Sequence, residues 1–308
     1  MRLLHYEFLK PICPQCKQNS AINSPLILTV ADKNGPDIKS GILTCEAVGC
    51  GRSYPIIFGC PILVPDIDTW LTANLHLILQ QNIADQYVEN LISKLVSPDT
   101  AFNIMRQQQS SYCLDHYGDE INNNHKNAKK HKSISTIRPC LDRALSLMPS
   151  NNSPCIDIGC AVGGTTFYVA ENRKALTIGI DLNWPLLSIP RNIIENNTAS
   201  YPHRIIGTHY ERRNIDMKLS NADLCDFWIA DASCLPFKSE TFGLAIGLNV
   251  LDCLAFPQKL LSEILDVVII NGGASIACPF DWTSHVTNSK NWIYDAKELD
   301  ALISHTYI

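Results

Sequence analysis

The chain has no run of about twenty apolar residues free of polar breaks, so no membrane-spanning helix is expected. Its start, MRLLHYEFLK, lacks the sustained apolar stretch of a secretory signal, and a cytoplasmic location is the expectation. Positive charge is short as well. Lys and Arg number 25 against 30 Asp and Glu, a net charge of −5, so no global field draws in a polyanion. The pattern G-x-G-x-x-G, which seats a pyrophosphate on a helix N-terminus, is missing, and this argues against a nicotinamide-dinucleotide enzyme. Charged residues make up only 18% and apolar residues 46%, which describes an ordinary globular chain. Its 308 residues suffice for one large domain and a small one.

What is present centres on Pro154 to Asp181, PCIDIGCAVGGTTFYVAENRKALTIGID. An apolar strand carries Asp157 and runs into a turn with Gly159, Ala161, Gly163 and Gly164. A helix and a second strand ending in Asp181 follow. Glycines there let the backbone turn sharply and approach a ligand. A carboxylate about twenty residues beyond the turn can accept two ribose hydroxyls. Asp157 repels a pyrophosphate and attracts a cationic ligand bearing an amino group, and S-adenosylmethionine is such a ligand. The pattern D-x-G-x-A-x-G resembles motif I of class I methyltransferases, with Ala161 standing where that motif has its middle glycine.

The strands continue downstream. DFWIADASCLPF predicts a third strand ending at Asp231, where the carboxylate and the small Ala232 fit an adenine edge, or where Asp231 caps a turn. TFGLAIGLNVLDCL predicts a fourth strand ending near Asn249. Ligands of open α/β sheets sit beyond the carboxyl ends of the strands, which directs Asn249 and Asp252 at the reaction centre. Asn249 also falls at the cofactor. Asp252 is the candidate to take the acceptor's proton. A helix through Lys259 and Val267 is ended by Asn271-Gly272-Gly273, and ASIACPF is a fifth strand. Asp281, Trp282 and Trp292 follow it and either wall the acceptor pocket or pack in the core. The stretch from Asp181 to about Ala222 is longer than a strand–helix–strand unit needs and holds an insertion. The whole reads as an α/β, Rossmann-like parallel sheet covered on both faces. One or both of the last strands usual in a class I methyltransferase sheet are missing. This leaves an edge at which two copies can pair.

Thirteen cysteines are many for this length, and five fall in the first 60 residues. Cys13-Pro-Gln-Cys16 and Cys45 with Cys50 form two pairs, a set of four thiolates that suits tetrahedral zinc. A module of about sixty residues buries little core, and a metal supplies the missing stability. Cys60, Cys155, Cys160, Cys225 and Cys278 sit in apolar text and read as small buried hydrophobes. The run CGRSYPIIFGCPIL resembles the zinc-ribbon family that activates tRNA, rRNA and release-factor methyltransferases. Arg52, Tyr54, Pro55, Ile56, Gly59, Pro61, Ile62 and Leu63 carry the likeness. It implies a short zinc-ribbon sheet over 1–67 that contacts a methyltransferase domain.

Residues 68–134 read as a helical linker or lid. Leu71, Leu75, Ile78, Leu79, Ile83, Tyr87, Leu91 and Leu95 recur at helical spacing, capped by Asp68 or Thr69. A second helix is predicted from about Ala101 to Tyr117, closed by Gly118, with Tyr112 and His116 placed to touch a substrate or to pack as an amphipathic face. Asn122 to Ser135 is a polar loop, and Ser135 caps a helix through Met148.

Residues 135–308 resemble class I methyltransferases throughout. DIGCAVG, NVLDCL and PFDWTSHVTNSKNW resemble the N-methyltransferase domain that methylates mercaptohistidine in ovothiol synthesis, with Cys253 where an arginine is common there. That resemblance implies N-methylation of a small, histidine-like nitrogenous acceptor. The alternatives are methylation of tRNA, rRNA or protein, or an S-adenosylmethionine-binding partner with impaired turnover. Nucleic acid is not favoured by the charge balance.

Overall fold

The computed structural model describes residues 1–80, 86–123, 135–217 and 219–306. Helices α1 (Leu3–Leu9) and α2 (Pro14–Ser20) precede four strands, β1 (Leu26–Asn34), β2 (Asp37–Cys45), β3 (Ser53–Ile57) and β4 (Cys60–Leu63). Helices α3 (Ile67–Ile78), α4 (Gln86–Leu95), α5 (Ala101–Asn123) and α6 (Ile137–Leu147) follow. Then strands and helices alternate: β5 (Cys155–Ile158), α7 (Gly164–Arg173), β6 (Thr177–Asp181) and α8 (Trp184–Asn196). A hairpin of β7 (Thr198–Ile206) and β8 (His209–Asp216) interrupts them before β9 (Cys225–Ala230), β10 (Phe242–Leu248), α9 (Pro257–Val267), β11 (Val268–Ala277) and α10 (Ala296–Thr306).

Nine strands form one sheet in the order β1-β2-β3-β4-β9-β6-β5-β10-β11. Strands β9, β6, β5, β10 and β11 are parallel. Strands β5, β9 and β10 are buried at every position, as expected of parallel strands covered on both faces. Strand order reverses between β5 and β10, which makes the gap beyond their carboxyl ends the topological switch point.

The N-terminal module is not a separate sheet. Strand β4 lies parallel to β9, with Ile62 opposite Ile229 and Leu63 opposite Ala230. Polar clamps reinforce the seam. The Arg2 backbone N–H and Trp228 Nε1 both donate to Oδ2 of buried Asp226, each at 2.8 Å. Arg191 Nη1 lies 3.6 Å from Asp226 Oδ1. Lys17 Nζ reaches Glu263 at 2.8 Å and Asp266 at 3.2 Å. Cys60 is fully buried, and its thiol donates to the Phe227 carbonyl at 3.4 Å, so it is a core residue of this seam.

Several local expectations are corrected. The first linker helix ends at Ile78 and a second begins at Gln86; Ile83 lies outside the described residues, as does the polar stretch 124–134. Its cap is Asp66, which accepts from the Thr69 N–H at 3.1 Å, while Asp68 pairs with Arg52. On α4 the apolar stripe faces outward: Leu91 and Leu95 are exposed, while Glu89, Asn90 and Ser93 are buried. The reason is polar pairing, since Asn90 Nδ2 donates to the Tyr210 carbonyl on β8 and Glu89 pairs with Arg212. Helix α5 continues through Gly118, because glycine lowers helix propensity without forbidding the conformation. Ser135 does accept from the Arg138 N–H, at 3.2 Å. The insertion is α8 plus the β7–β8 hairpin. Asn271-Gly272-Gly273 lies inside β11 as an irregularity, since α9 stops at Val267. No strand pairs with the outer side of β11 among the described residues.

Candidate cofactor cleft and four-cysteine cluster

The switch point opens into a cavity of about 240 Å³. Asp157, Gly159 and Ala161 line it from the turn after β5, Asp181 from the end of β6, Ala232 from beyond β9 and Asn249 from beyond β10. Tyr112 and His116 reach it from α5. The structure thus gathers residues separated by more than a hundred positions. Gly163, Asp231, Asp252, Asp281 and Trp282 do not line it. Gly163 stands one step behind, at the start of α7. Asp231 turns inward on its own loop and accepts from the Ser233 N–H at 2.8 Å and hydroxyl at 2.7 Å, the capping alternative. Asp252 is buried and accepts from the Asp281 N–H at 2.9 Å, so it anchors the segment after β11. Trp282 Nε1 donates to the Ile293 carbonyl and Trp292 Nε1 to the Thr287 carbonyl, each at 2.9 Å.

The turn is built by close approach. A Cβ added at Gly159, whose φ is +73°, would meet Val250 Cγ2 at 2.7 Å. One at Gly164 would meet His116 Cβ at 2.6 Å, so this glycine lets α5 rest on α7. Asp157 is 2% exposed and accepts from Thr165 at 2.5 Å and Thr166 at 2.6 Å. Burial, outweighing those hydrogen bonds, pushes its carboxyl up to about 6. Burial also raises Asp181, against its hydrogen bonds from the N–H groups of Asn183 at 2.8 Å and Ala161 at 2.9 Å. His116 is buried with no partner for Nδ1 among the described residues, and burial pushes its imidazole down to about 4, leaving it neutral near pH 7. Thr165 and Thr166 escaped the sequence reading; two hydroxyls on the first turn after a glycine pair are the signal that could have found them. Asp115, another cavity residue, lies beside His116 in the sequence.

Ala161 adopts φ +48°, the left-handed region. A side chain there costs about 1–2 kcal/mol. Ala161→Gly is therefore expected to stabilise the protein by roughly 1 kcal/mol and raise its melting temperature by about 2–4 °C. A calorimetric scan showing a lower melting temperature would refute this.

The four thiols meet at the other end of the sheet. Sγ atoms of Cys13, Cys16, Cys45 and Cys50 all lie within 4.8 Å of one another. Cys13 and Cys50 are 3.9 Å apart and Cys16 and Cys45 3.6 Å. A tetrahedron with metal–sulfur bonds of about 2.3 Å sets sulfur–sulfur edges near 3.8 Å, so the set fits zinc. Outer contacts orient the ligands: Tyr54 OH lies 3.2 Å from Cys13 Sγ, Ser24 Oγ 3.2 Å from Cys45 Sγ, and the Ala47 N–H donates to Cys45 Sγ at 3.4 Å.

Strand order, the glycine turn and two carboxylates at a switch-point cleft define a Rossmann-like α/β domain built for a nucleoside-bearing cofactor. Residues 156–276 match the family model described as a methyltransferase domain. The chain carries a class I S-adenosylmethionine-dependent methyltransferase domain. Among solved structures it is similar to the complex of the Haloferax volcanii Trm112 methyltransferase activator with a putative methyltransferase, at 15% identity over 53% of this chain and 65% of that one, TM-score 0.39. It is similar to Haemonchus contortus phosphoethanolamine N-methyltransferase 2 with S-adenosyl-L-methionine, at 12% identity over 66% and 44%, TM-score 0.41. A third is a putative methyltransferase from Bacillus halodurans, at 16% identity over 44% and 49%, TM-score 0.33. The chain spans between 44% and 65% of the lengths of these three. No curated protein matches it. No helix among the described residues is long and apolar enough to cross a membrane.

Proposed function

We propose that the protein transfers the methyl group of S-adenosylmethionine to a nitrogen of a small, histidine-like acceptor. The observation that carries this reading is the cavity's charge. Asp115, Asp157 and Asp181 line it, with no lysine or arginine among the described residues. Such a lining attracts a sulfonium cofactor with its ammonium group, favours a nitrogenous acceptor and repels a nucleic-acid backbone.

The cofactor brings an already activated methyl, so the protein's work is alignment. Asp157, held by Thr165 and Thr166, receives the ammonium group, Asp181 the ribose hydroxyls, and Ala232 the adenine edge. Asp231 and Gly163 shape the loops that hold this wall. Asn249 and neutral His116, with Tyr112, orient the acceptor nitrogen so that its lone pair faces the methyl. Asp252, with Asp281 and Trp282, holds the segment behind Asn249. Cys13, Cys16, Cys45 and Cys50 hold a structural zinc. The outer edge of β11 is where a second copy pairs.

The test is methyl transfer from labelled cofactor to a panel of imidazoles, amines and RNA, with calorimetry of cofactor binding alongside. Labelled imidazole or amine is expected; label only in RNA, or no cofactor binding, would sink the reading. Cofactor binding carries its own pH signature. Only ionised Asp157 pairs with the ammonium group, so the dissociation constant is expected to rise up to about tenfold per unit as pH falls below 6. A flat profile from pH 7 to 5 contradicts the assigned role. Stability of the cofactor-free protein moves the opposite way. Asp157 has a folded pKa of about 6 against an ordinary value of 3.8, so the folded state holds more protons in that window. The Asp157 contribution to stability therefore falls as pH rises from 3.8 to about 6.

A further inference from the structure

A second cavity, of about 460 Å³, lies beyond the wall of the first and shares no lining residue with it. Helix α5 is that wall. Gln108, Tyr112 and Asp115 face the cofactor cleft, while Phe102, Arg106 and Gln109 face the second cavity. Gln109 Nε2 donates to the Pro185 carbonyl of α8 at 2.9 Å and closes the partition.

One end of this cavity is cationic and underpaired. Arg106 is 1% exposed, yet its Nε and Nη1 have no hydrogen-bond partner among the described residues. Its Nη2 donates to Asn90 Oδ1 at 3.2 Å and lies 3.6 Å from Glu89 Oε2. Arg212 pairs with the other Glu89 oxygen, and its own Nε has no partner among the described residues. Two guanidinium groups thus share one carboxylate. Arg191, the third arginine of the lining, is answered by Asp226 at 3.6 Å and Glu195 at 3.7 Å. The Arg106 guanidinium is fixed in place by the rings of Tyr210 at 4.3 Å and Phe102 at 5.3 Å. The lining also holds an aromatic pair, Trp184 and Phe58, at a ring separation of 6.3 Å, beside Arg191.

A buried guanidinium with free N–H groups loses their hydration without replacement, a cost that a planar or tetrahedral oxyanion removes through paired hydrogen bonds. We propose that this second cavity binds a small molecule carrying an oxyanion, carboxylate or phosphate, on an apolar body. The oxyanion takes the free edge of Arg106 and the Nε of Arg212, and the body lies toward Trp184. Because α5 also bears Tyr112 and His116, occupancy here stiffens the wall of the cofactor cleft. The inference does not depend on methyl transfer.

Calorimetry of the full chain with phenyl phosphate, benzoate and inorganic phosphate tests it. A single saturable site is expected, with a ring-bearing anion tighter than phosphate alone by about tenfold or more, from burial of the ring. Binding of phenyl phosphate without benzoate identifies phosphate as the group recognised, and the reverse identifies carboxylate. Arg106→Lys keeps the charge but loses the fork, and should weaken binding by about tenfold or more. Ser188→Phe fills the cavity from α8, leaves both arginines in place and should abolish binding, which keeps the test decisive if the arginine variant folds poorly. Both variants should bind S-adenosylhomocysteine as the parent does. No binding of any of the three anions overturns the proposal, as does unchanged binding in a folded Ser188→Phe. Failure of the parent to bind S-adenosylhomocysteine while phenyl phosphate still binds would remove the methyl-transfer reading and leave this one standing.

Discussion

On the proposed zinc assignment, Cys13→Ser is expected to release the metal, unfold the N-terminal module and take cofactor binding with it. Structural zinc in small modules contributes an apparent 10–16 kcal/mol, roughly as much as the whole stability of a domain at about 5–15 kcal/mol. The module has little core of its own to replace that, since β1 is largely exposed and the outward side of β2 is mostly half-buried. Losing it frees β4, and with it the parallel partner of Ile229 and Ala230. Ala230 lines the cofactor cavity, so damage at the seam reaches the site. Elemental analysis should fall from about one zinc per chain to none. The far-ultraviolet spectrum should lose strand signal, and affinity for S-adenosylhomocysteine should drop by about a hundredfold or more. One zinc retained with unchanged affinity would overturn both the ligand assignment and the coupling. Cys60→Ser is the contrast: it should keep its zinc, because that thiol belongs to the seam and not to the cluster.

Asp226→Ala should cost about 3–5 kcal/mol, the usual penalty for leaving one charge of a buried pair uncompensated. Asp226 is 2% exposed and answers Arg191, the Arg2 backbone N–H, the Phe227 N–H and Trp228 Nε1. Removing it strands three hydrogen-bond donors at once, the N–H groups of Arg2 and Phe227 and Trp228 Nε1, and leaves Arg191 with Glu195 and the Phe58 and Phe227 carbonyls. Asp226→Asn keeps the shape and some of the hydrogen bonds, and should cost less. Urea denaturation resolves the difference, with both midpoints lower and the alanine variant lower still. A loss under about 1 kcal/mol for Asp226→Ala would mean that the pairing with Arg191 is solvated.

The sequence showed the catalytic half clearly because its signals are local. Asp157, Gly159 and Asp181 stand on consecutive elements, and burial on both sheet faces writes itself as continuous apolar runs in β5, β9 and β10. What stayed hidden depends on distant pairing. Glu89 and Asn90 face inward because Arg212 and Tyr210 lie more than a hundred residues away, and no periodicity can announce that. Asp231 and Asp252 follow strand ends, yet one oxygen of each is already engaged, Oδ1 of Asp231 by Ser233 and Oδ2 of Asp252 by the N–H of Asp281, 29 residues away. The thiol cluster was legible in its spacing, whereas the joining of β4 to β9 was not, because a four-residue strand carries no mark of its partner.

That joining governs the order of events on the ribosome. Ile62 pairs with Ile229, which is made 167 residues later, the difference of their positions. At about 5–20 residues per second, the outer edge of β4 stays unpaired for roughly 8–33 s after it emerges. During that time Ile62 and Leu63 present an apolar strand edge to every neighbouring nascent chain, a hazard that the finished nine-stranded sheet conceals.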